Sequence, residues 1–154
     1  MTTASERLDE LGITLPPVVP PVAAYIPARF EQGLVYTSGQ LPMRDGELLA
    51  TGHVGDQISP EEAKDLARVC CLNAIAAAAS VAGGIDSITG VVKVVGFVAS
   101  AAGFIGQPGV INGASELLLE VFGESGRHAR SAVGVAELPL GAPVEVELIF
   151  STAR

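Results

Sequence analysis

The stretch that decides the fold runs from His128 to Phe150 and reads HARSAVGVAELPLGAPVEVELIF. Its first and last thirds alternate regularly between apolar residues and small or charged ones, which is typical of half-buried strands. Proline and glycine residues that favour turns separate the two thirds. The pattern predicts a β-hairpin with one apolar face and one face that carries Arg130, Glu145 and Glu147.

Arg130 is the most suggestive residue of this stretch, because Ala132 and Gly134 beside it are small enough to leave space for a ligand. A guanidinium group forms two parallel hydrogen bonds with a carboxylate. A nearby glutamate such as Glu145 can position and deprotonate a water molecule. One interpretation of the pattern is therefore a carboxylate-binding site. The competing interpretation is an exposed sheet face whose charges are simply solvated.

The hairpin geometry places the two charged groups far apart within one chain. In a regular hairpin Arg130 would face Ser151 and Glu145 would face Ala136, which separates them by about 20 Å along the ladder. They cannot then hold one small substrate, so we expect them to meet across a subunit interface. Charged residues make up 17% of the chain, against about 25% in typical domains, which also indicates an oligomer.

Length, charge and cysteine content limit the classes of function. A chain of 154 residues predicts one domain. The net charge of −8 and the lack of clustered Lys and Arg argue against a nucleic-acid partner. No uninterrupted apolar run reaches the roughly 18 residues that a membrane span needs, so no membrane partner is expected. The adjacent Cys70 and Cys71 and the lack of a signal-peptide pattern predict a reduced, cytoplasmic setting, with both thiols buried.

The N-terminal part of the chain is predicted to form a separate segment, residues 1–21, ahead of a domain at 22–154. Within the segment, residues 5–14 show the pattern of a short amphipathic helix with Ser5 as its N-cap. Prolines then dominate residues 15–21, which favours an extended, polyproline-like linker that lies outside any inner strand.

The remaining elements follow from periodicity and capping signals, which predict strands at 22–29, 33–40, 47–50 and 87–100 and helices at 60–82 and 107–123. Ser59 is the expected N-cap of the first of these helices. The pair Asn112-Gly113 disfavours helix within the second, so a local contact must favour it. Strands grouped around two helices of similar length predict an α+β fold with the helices on one sheet face.

Familiar catalytic and cofactor motifs are missing from the sequence. It contains no P-loop and no dinucleotide fingerprint. His53 and His128 are the only histidines and lie far apart, so neither a metal site nor a cofactor is expected. A triad of Ser38, His128 and Asp86 has no nucleophile-elbow motif to support it.

Three groups of residues resemble the RidA (YjgF-type) family, often labelled endoribonuclease L-PSP: YTSGQLP at 36–42, VK ahead of GFV at 92–98, and RS followed by LP and VEVE at 130–147. The resemblance covers about residues 22–150, and the N-terminal extension indicates a less characterised branch. It implies a chorismate-mutase-like α+β fold, with a mixed, mainly antiparallel sheet and two helices on one face. It also implies a homotrimer with three clefts between subunits.

The same resemblance implies hydrolysis of reactive enamine or imine intermediates, such as 2-aminoacrylate, to 2-keto acids and ammonia. Arg130 matches the family's carboxylate-binding arginine, and Glu145 matches the glutamate that orients the water. The matching residues around the substrate are Tyr25, Ser38, Gly39 and Asn112. Ala132 stands where the deaminase branch commonly carries a cysteine, so the shape of the substrate is expected to differ.

Three functions are consistent with this sequence. The leading hypothesis is a cofactor-free enamine/imine deaminase whose partner is a small carboxylate substrate. The second is a non-catalytic, carboxylate-binding trimer that acts as a sensor or interaction protein and has no need for Glu145. The third, a ribonuclease, is disfavoured by the acidic balance of the chain.

Overall fold

The structure is a computed structural model that describes all 154 residues. It contains seven strands and three α-helices: β1 (Ala28–Glu31), β2 (Leu34–Thr37), β3 (Met43–Arg44), β4 (Glu47–Leu48), β5 (Ile88–Ala99), β6 (Ala129–Val135), β7 (Val144–Thr152), α1 (Ala4–Glu10), α2 (Pro60–Ala82) and α3 (Gln107–Phe122). Five strands form one sheet in the order β1-β2-β7-β5-β6, and β3 and β4 form a small separate ribbon. The pair β5–β6 is parallel and the other pairs are antiparallel. The predicted α+β class with a mixed, mainly antiparallel sheet is confirmed.

The helices begin and end largely where the capping signals predict. The hydroxyl of Ser59 accepts a hydrogen bond from the backbone N–H of Glu62, and α2 ends at Gly83 in the left-handed conformation. α1 begins two residues earlier than predicted, because Thr3 rather than Ser5 is its N-cap and forms a capping box with Glu6. By length and hydropathy α2 could cross a membrane, but 61% of its most apolar window is buried within the fold, as in the core helix of a globular domain.

The predicted hairpin between the last two strands is wrong. β6 and β7 do not pair with each other; both pair with β5, which lies between them. β5, α3 and β6 instead form a βαβ unit, in which the two strands are parallel and the helix α3 provides the crossover between them. The proline and glycine residues that suggested a hairpin turn form a 3-10 turn, Pro139–Gly141, with Leu140 at φ 61°.

The first predicted strand is also displaced. β1 starts at Ala28 rather than at 22, and residues 22–25 bend. The prolines at 20, 21 and 27 lack the N–H groups that a strand ladder requires, which accounts for the late start. β2 ends at Thr37, beyond which Gln40 makes an isolated antiparallel bridge to Val146 of β7.

The core lies between the sheet and the pair α2 and α3. The side chains of β7 that face the helices are fully or almost fully buried: Val144, Val146, Leu148 and Phe150. Two glycines allow the layers to approach closely. A Cβ on Gly96 of β5 would overlap the side chain of Ile111, and a Cβ on Gly113 of α3 would overlap the backbone carbonyl of Lys64 in α2. This contact with another helix explains why the Asn112-Gly113 pair has a glycine inside a helix.

Candidate functional site

Arg130 is held by three neutral oxygen atoms on α3. It lies opposite Val94 of β5, whose side chain is buried beneath the helices, so Arg130 is on the helix side of the edge strand β6. Its Nη1 donates to the Oδ1 of Asn112 at 2.8 Å and to the Oγ of Ser115 at 3.2 Å. Its Nη2 donates to the backbone carbonyl of Pro108 at 3.3 Å. Asn112, one of the predicted site residues, therefore orients the guanidinium.

The positive charge of Arg130 has no carboxylate partner in the chain. The five ion pairs of the structure involve other residues, and every acceptor on the guanidinium is an amide, a hydroxyl or a peptide oxygen. Three of the five N–H groups are thus occupied by groups that fix orientation without neutralising charge. A half-buried, oriented and uncompensated arginine is suited to a carboxylate ligand.

Ser115 and His128 belong to the same cluster, although the sequence did not predict Ser115. The Nδ1 of His128 lies 2.6 Å from the carbonyl oxygen of Gly126, to which it can only donate, so Nε2 carries the lone pair in the neutral ring. The hydroxyl of Ser115 then donates to Nε2 at 2.8 Å and accepts from Arg130. The only sequence signal was the spacing of Asn112 and Ser115, which puts both on one helix face.

Arg130 opens into a groove of about 830 Å³, here called the arginine groove. Its polar lining consists of Arg7, Ser115, Glu124, Arg127, His128 and Arg130. None of the predicted residues Tyr25, Ser38, Gly39 and Glu145 lines this groove. Within one chain the structure therefore brings Arg130 and Asn112 together but leaves Tyr25, Ser38, Gly39 and Glu145 elsewhere.

Glu145 lines a second cavity of about 360 Å³, here called the glutamate cleft. Tyr25 and Gly39 line it too, together with Pro20, Pro21 and Pro139. The Pro-rich segment, which the sequence predicted as a linker, thus supplies one wall of the cleft. Tyr25 is 44% exposed, and its hydroxyl accepts a weak hydrogen bond from the N–H of Val22 at 3.4 Å.

The environment of Glu145 makes its carboxyl group a better base than an ordinary one. Burial and, to a smaller extent, the negative charge of Glu147 raise the pKa of Glu145. No side-chain donor forms a hydrogen bond with its carboxylate. Gly39 lies directly against it, and a Cβ at that position would overlap the Oε1 of Glu145. Glycine is therefore required at position 39 because of this close approach and not because of its φ angle.

Ser38 has a structural role in this conformation. Its hydroxyl donates to the carbonyl oxygen of Ile26 at 2.6 Å, and its N–H donates to the carbonyl of Pro27 at 2.8 Å. Two backbone hydrogen bonds between Gln40 and Val146, at 2.8 and 3.1 Å, then tie the segment to β7. These contacts fix Gly39 beside Glu145.

The two predicted catalytic residues lie on opposite faces of the sheet. Arg130 pairs with Val94 on the helix side, whereas Glu145 pairs with Phe97 on the uncovered side. The step of three residues from Val94 to Phe97 on β5 corresponds to about 10 Å along the strand. The hairpin geometry that separated them was wrong, yet the conclusion that one chain cannot bring them to a single small substrate remains. Ala132, two residues beyond Arg130, packs against the core on the helix side.

Metal binding has no support in the arrangement of side chains. The structure contains no group of three His, Cys, Asp or Glu residues that could hold a metal ion. The Cys70 and Cys71 thiols are fully buried, as predicted, and burial raises the pKa of both. The amide of buried Asn73 donates to the carbonyls of Leu41 and Met43, so Asn73 is a satisfied polar group of the core.

Residues 5–151 match the family described as "YjgF/chorismate mutase-like, putative endoribonuclease". The chain belongs to this family, the RidA family. Protein TCP17 of Trypanosoma cruzi is 42% identical over 144 residues, which cover 93% of this chain and 90% of TCP17. The RidA resemblance seen in the sequence is thereby confirmed.

Solved structures agree with this assignment. Atu1372 of Agrobacterium tumefaciens, a protein of unknown function, is 42% identical with a TM-score of 0.88, and the match covers 99% of this chain and 93% of that one. A "putative endoribonuclease" from Shewanella oneidensis is 33% identical with a TM-score of 0.93, covering 97% and 99%. E. coli TdcF, solved with bound serine, shares the fold at 24% identity and a TM-score of 0.62, covering 90% and 93%.

Proposed function

We propose that this RidA-family protein hydrolyses reactive enamine or imine acids, such as 2-aminoacrylate, to 2-keto acids and ammonia at clefts between the subunits of a homotrimer. The observation that carries the proposal is the guanidinium of Arg130, oriented by Asn112, Ser115 and Pro108 with no carboxylate against it. The substrate carboxylate would supply the missing negative charge. TdcF, which has the same fold, was solved with serine, an amino acid with such a carboxylate.

In the proposed mechanism Glu145 holds and deprotonates the attacking water. The carbon of a C=N bond is electrophilic already, so the reaction needs an oriented substrate and a general base. An enamine such as 2-aminoacrylate first takes a proton at its methylene carbon and becomes the imine. Water then adds to the C=N carbon, while Glu145 takes one proton of the water and the nitrogen gains one. The C–N bond of this carbinolamine breaks as its hydroxyl group loses a proton and becomes the C=O of the keto acid, and the protonated nitrogen leaves as ammonia. The raised pKa of Glu145 suits this exchange, since a stronger base accepts the proton more readily.

The assembly is proposed because each chain carries half of the site. The arginine groove lies at the edge strand β6, and the glutamate cleft lies elsewhere on the same chain. The sheet face opposite the helices exposes Tyr36 and Val133 by 43% and 44%, beside the charged Lys93, Glu145 and Glu147. Half-buried Val95, Phe97 and Ile149 extend that face. Packing these faces around a threefold axis would cover apolar surface and bring one subunit's Arg130 near a neighbour's Glu145.

The test is keto-acid release from 2-aminoacrylate generated in situ by a serine dehydratase. The wild-type protein should accelerate release, and Arg130→Ala should lose about 100-fold, because hydrogen bonds to charged groups contribute about 1.5–3 kcal/mol each. Arg68→Gln is the matched control, since Arg68 is an arginine of α2 that pairs with Glu120. Equal rates for wild type and Arg130→Ala, or a monomer by light scattering, would refute the mechanism.

One observation favours the non-catalytic alternative. The residues that orient Arg130 all belong to its own chain, so a carboxylate could bind there without Glu145. A binding protein would retain its affinity for a 2-keto acid in Glu145→Gln and turn over no imine. A deaminase would lose turnover in Glu145→Gln by about 100-fold or more while its affinity for the keto acid changes little.

A further inference from the structure

The arginine groove contains more positive charge than one carboxylate requires. It is lined by Arg7, Arg127 and Arg130, with Glu124 as its only carboxylate. The whole chain has nine Lys and Arg residues and a net charge of −8. A third of the basic residues thus lines one groove of an acidic protein, which concentrates positive potential where the substrate is proposed to bind.

Arg7 is the arginine of this groove that has no partner. Its side chain forms no ion pair and no hydrogen bond within the chain. It lies over Gly123, where an added Cβ would be 3.2 Å from the Nη2 of Arg7. Gly123 has a φ of 60° and no side chain, and so leaves space for the guanidinium at this edge of the groove.

The helix that carries Arg7 is anchored to the rest of the fold. The backbone N–H of Ser5 and its hydroxyl both donate to the carboxylate of Asp86, at 2.9 and 2.6 Å. Leu8 is 5% exposed and belongs to the main hydrophobic core. Arg7, between these two anchors, is therefore held beside the groove although it belongs to the N-terminal segment.

Arg127 contributes less uncompensated positive charge to the groove than Arg7 does. It pairs with Glu124 at 2.8 Å, and the two side chains are 74% and 86% exposed. Its charge is therefore partly compensated and well solvated. Among the groove's arginines, Arg130 and Arg7 have charges that no carboxylate of the chain compensates.

We propose that the groove binds a second carboxylate through Arg7, so that the preferred substrate is a dicarboxylic 2-imino acid. This inference rests on the proposed function, in which Arg130 binds the carboxylate next to the reacting carbon. Arg7 would bind the carboxylate at the far end of the same molecule. The N-terminal helix, which the sequence left without a role, then determines substrate specificity.

Two keto acids with the same five-carbon chain test the proposal by calorimetry. 2-Oxoglutarate has a second carboxylate, and 2-oxopentanoate has a methyl group in its place. The wild-type protein should bind 2-oxoglutarate more tightly, and Arg7→Gln should weaken that binding about fivefold without affecting 2-oxopentanoate. Arg68→Gln, which removes an equal charge from α2, should leave both affinities unchanged. Added salt should weaken binding of 2-oxoglutarate more steeply than that of 2-oxopentanoate.

A second variant distinguishes the loss of the Arg7 guanidinium from damage to the N-terminal helix. Arg7→Lys keeps the charge but not the planar fork, and should give an intermediate affinity for 2-oxoglutarate. Equal wild-type affinities for the two acids, or equal losses for both in a folded Arg7→Gln protein, would overturn the proposal and leave the role of Arg130 intact. If Arg130→Ala bound both acids as tightly as wild type, the proposed function itself would fail, and the second carboxylate site with it.

Discussion

Replacing Gly39 by alanine tests whether the position of Glu145 matters for catalysis. The added Cβ would lie 2.7 Å from the Cδ of Glu145, whereas ordinary van der Waals contact begins at 3.4 Å. The Oε1 of Glu145 is closer still to this Cβ, so the carboxyl group must retreat by at least about 0.7 Å or rotate away, since hydrogen bonds to Val146 hold Gln40 and restrict the backbone. Because a misplacement of about 1 Å can cost 10²-fold in rate, we expect Gly39→Ala to lower kcat about 100-fold.

The change in rate should occur without a comparable loss of stability. The atoms that must move belong to a flexible side chain, so we expect the free energy of unfolding to fall by less than about 1.5 kcal/mol. The assay is keto-acid release from 2-aminoacrylate, with urea unfolding measured in parallel.

A double-mutant cycle identifies the cause of the loss. If Gly39→Ala acts by displacing Glu145, adding it to Glu145→Gln should cost little more than Glu145→Gln alone. Losses that multiply fully in the double variant, or a Gly39→Ala enzyme with wild-type kcat, would show that the contact between position 39 and Glu145 is not what supports activity.

Three further predictions follow from the site and the core. Glu147→Gln should move the acidic limb of the pH–kcat/KM profile to lower pH. Removing the negative charge of Glu147 lowers the raised pKa of Glu145, so that Glu145 stays unprotonated at lower pH. An acidic limb at the same pH in both proteins would mean that another group titrates there. Asn112→Ala should weaken 2-keto acid binding about tenfold in calorimetry, since the shortest hydrogen bond to Arg130 is lost. Wild-type affinity would mean that Ser115 and Pro108 are enough to orient the guanidinium. Neither Cys70 nor Cys71 should react with a thiol reagent at pH 8 until urea unfolds the chain, because burial raises the pKa of both thiols, and rapid labelling of the folded protein would contradict their placement in the core.

Local signals in the sequence predicted the helices well. Ser59, Pro60 and the glycines at 83 and 84 specify the ends of α2 through short-range contacts, and the structure has the helix at Pro60–Ala82. The Asn112-Gly113 pair was recognised as anomalous, but its cause was not visible. That cause is a contact with Lys64, a residue distant in the chain, and with the guanidinium of Arg130.

The arrangement of strands was harder to predict. Alternation indicates which residues of a strand share a face, but it does not identify the neighbouring strand. β6 and β7 have suitable patterns for a hairpin, yet β5 pairs with both. The error mattered for the site, because it placed Arg130 and Glu145 on one face, whereas they lie on opposite faces. The family resemblance pointed to Arg130, Asn112 and Glu145 as site residues, but not to the groove that Arg7, Ser115 and His128 complete.

The close approach of α2 and α3 has a consequence for how the site tolerates mutation. Gly113 touches the backbone of Lys64, and the next residue towards the N-terminus, Asn112, holds Arg130. Any side chain at position 113 would push the two helices apart and carry the amide of Asn112 away from the guanidinium. Affinity for an organic acid therefore depends on the spacing of α2 and α3. A core substitution that alters thermostability by changing this spacing would also change that affinity.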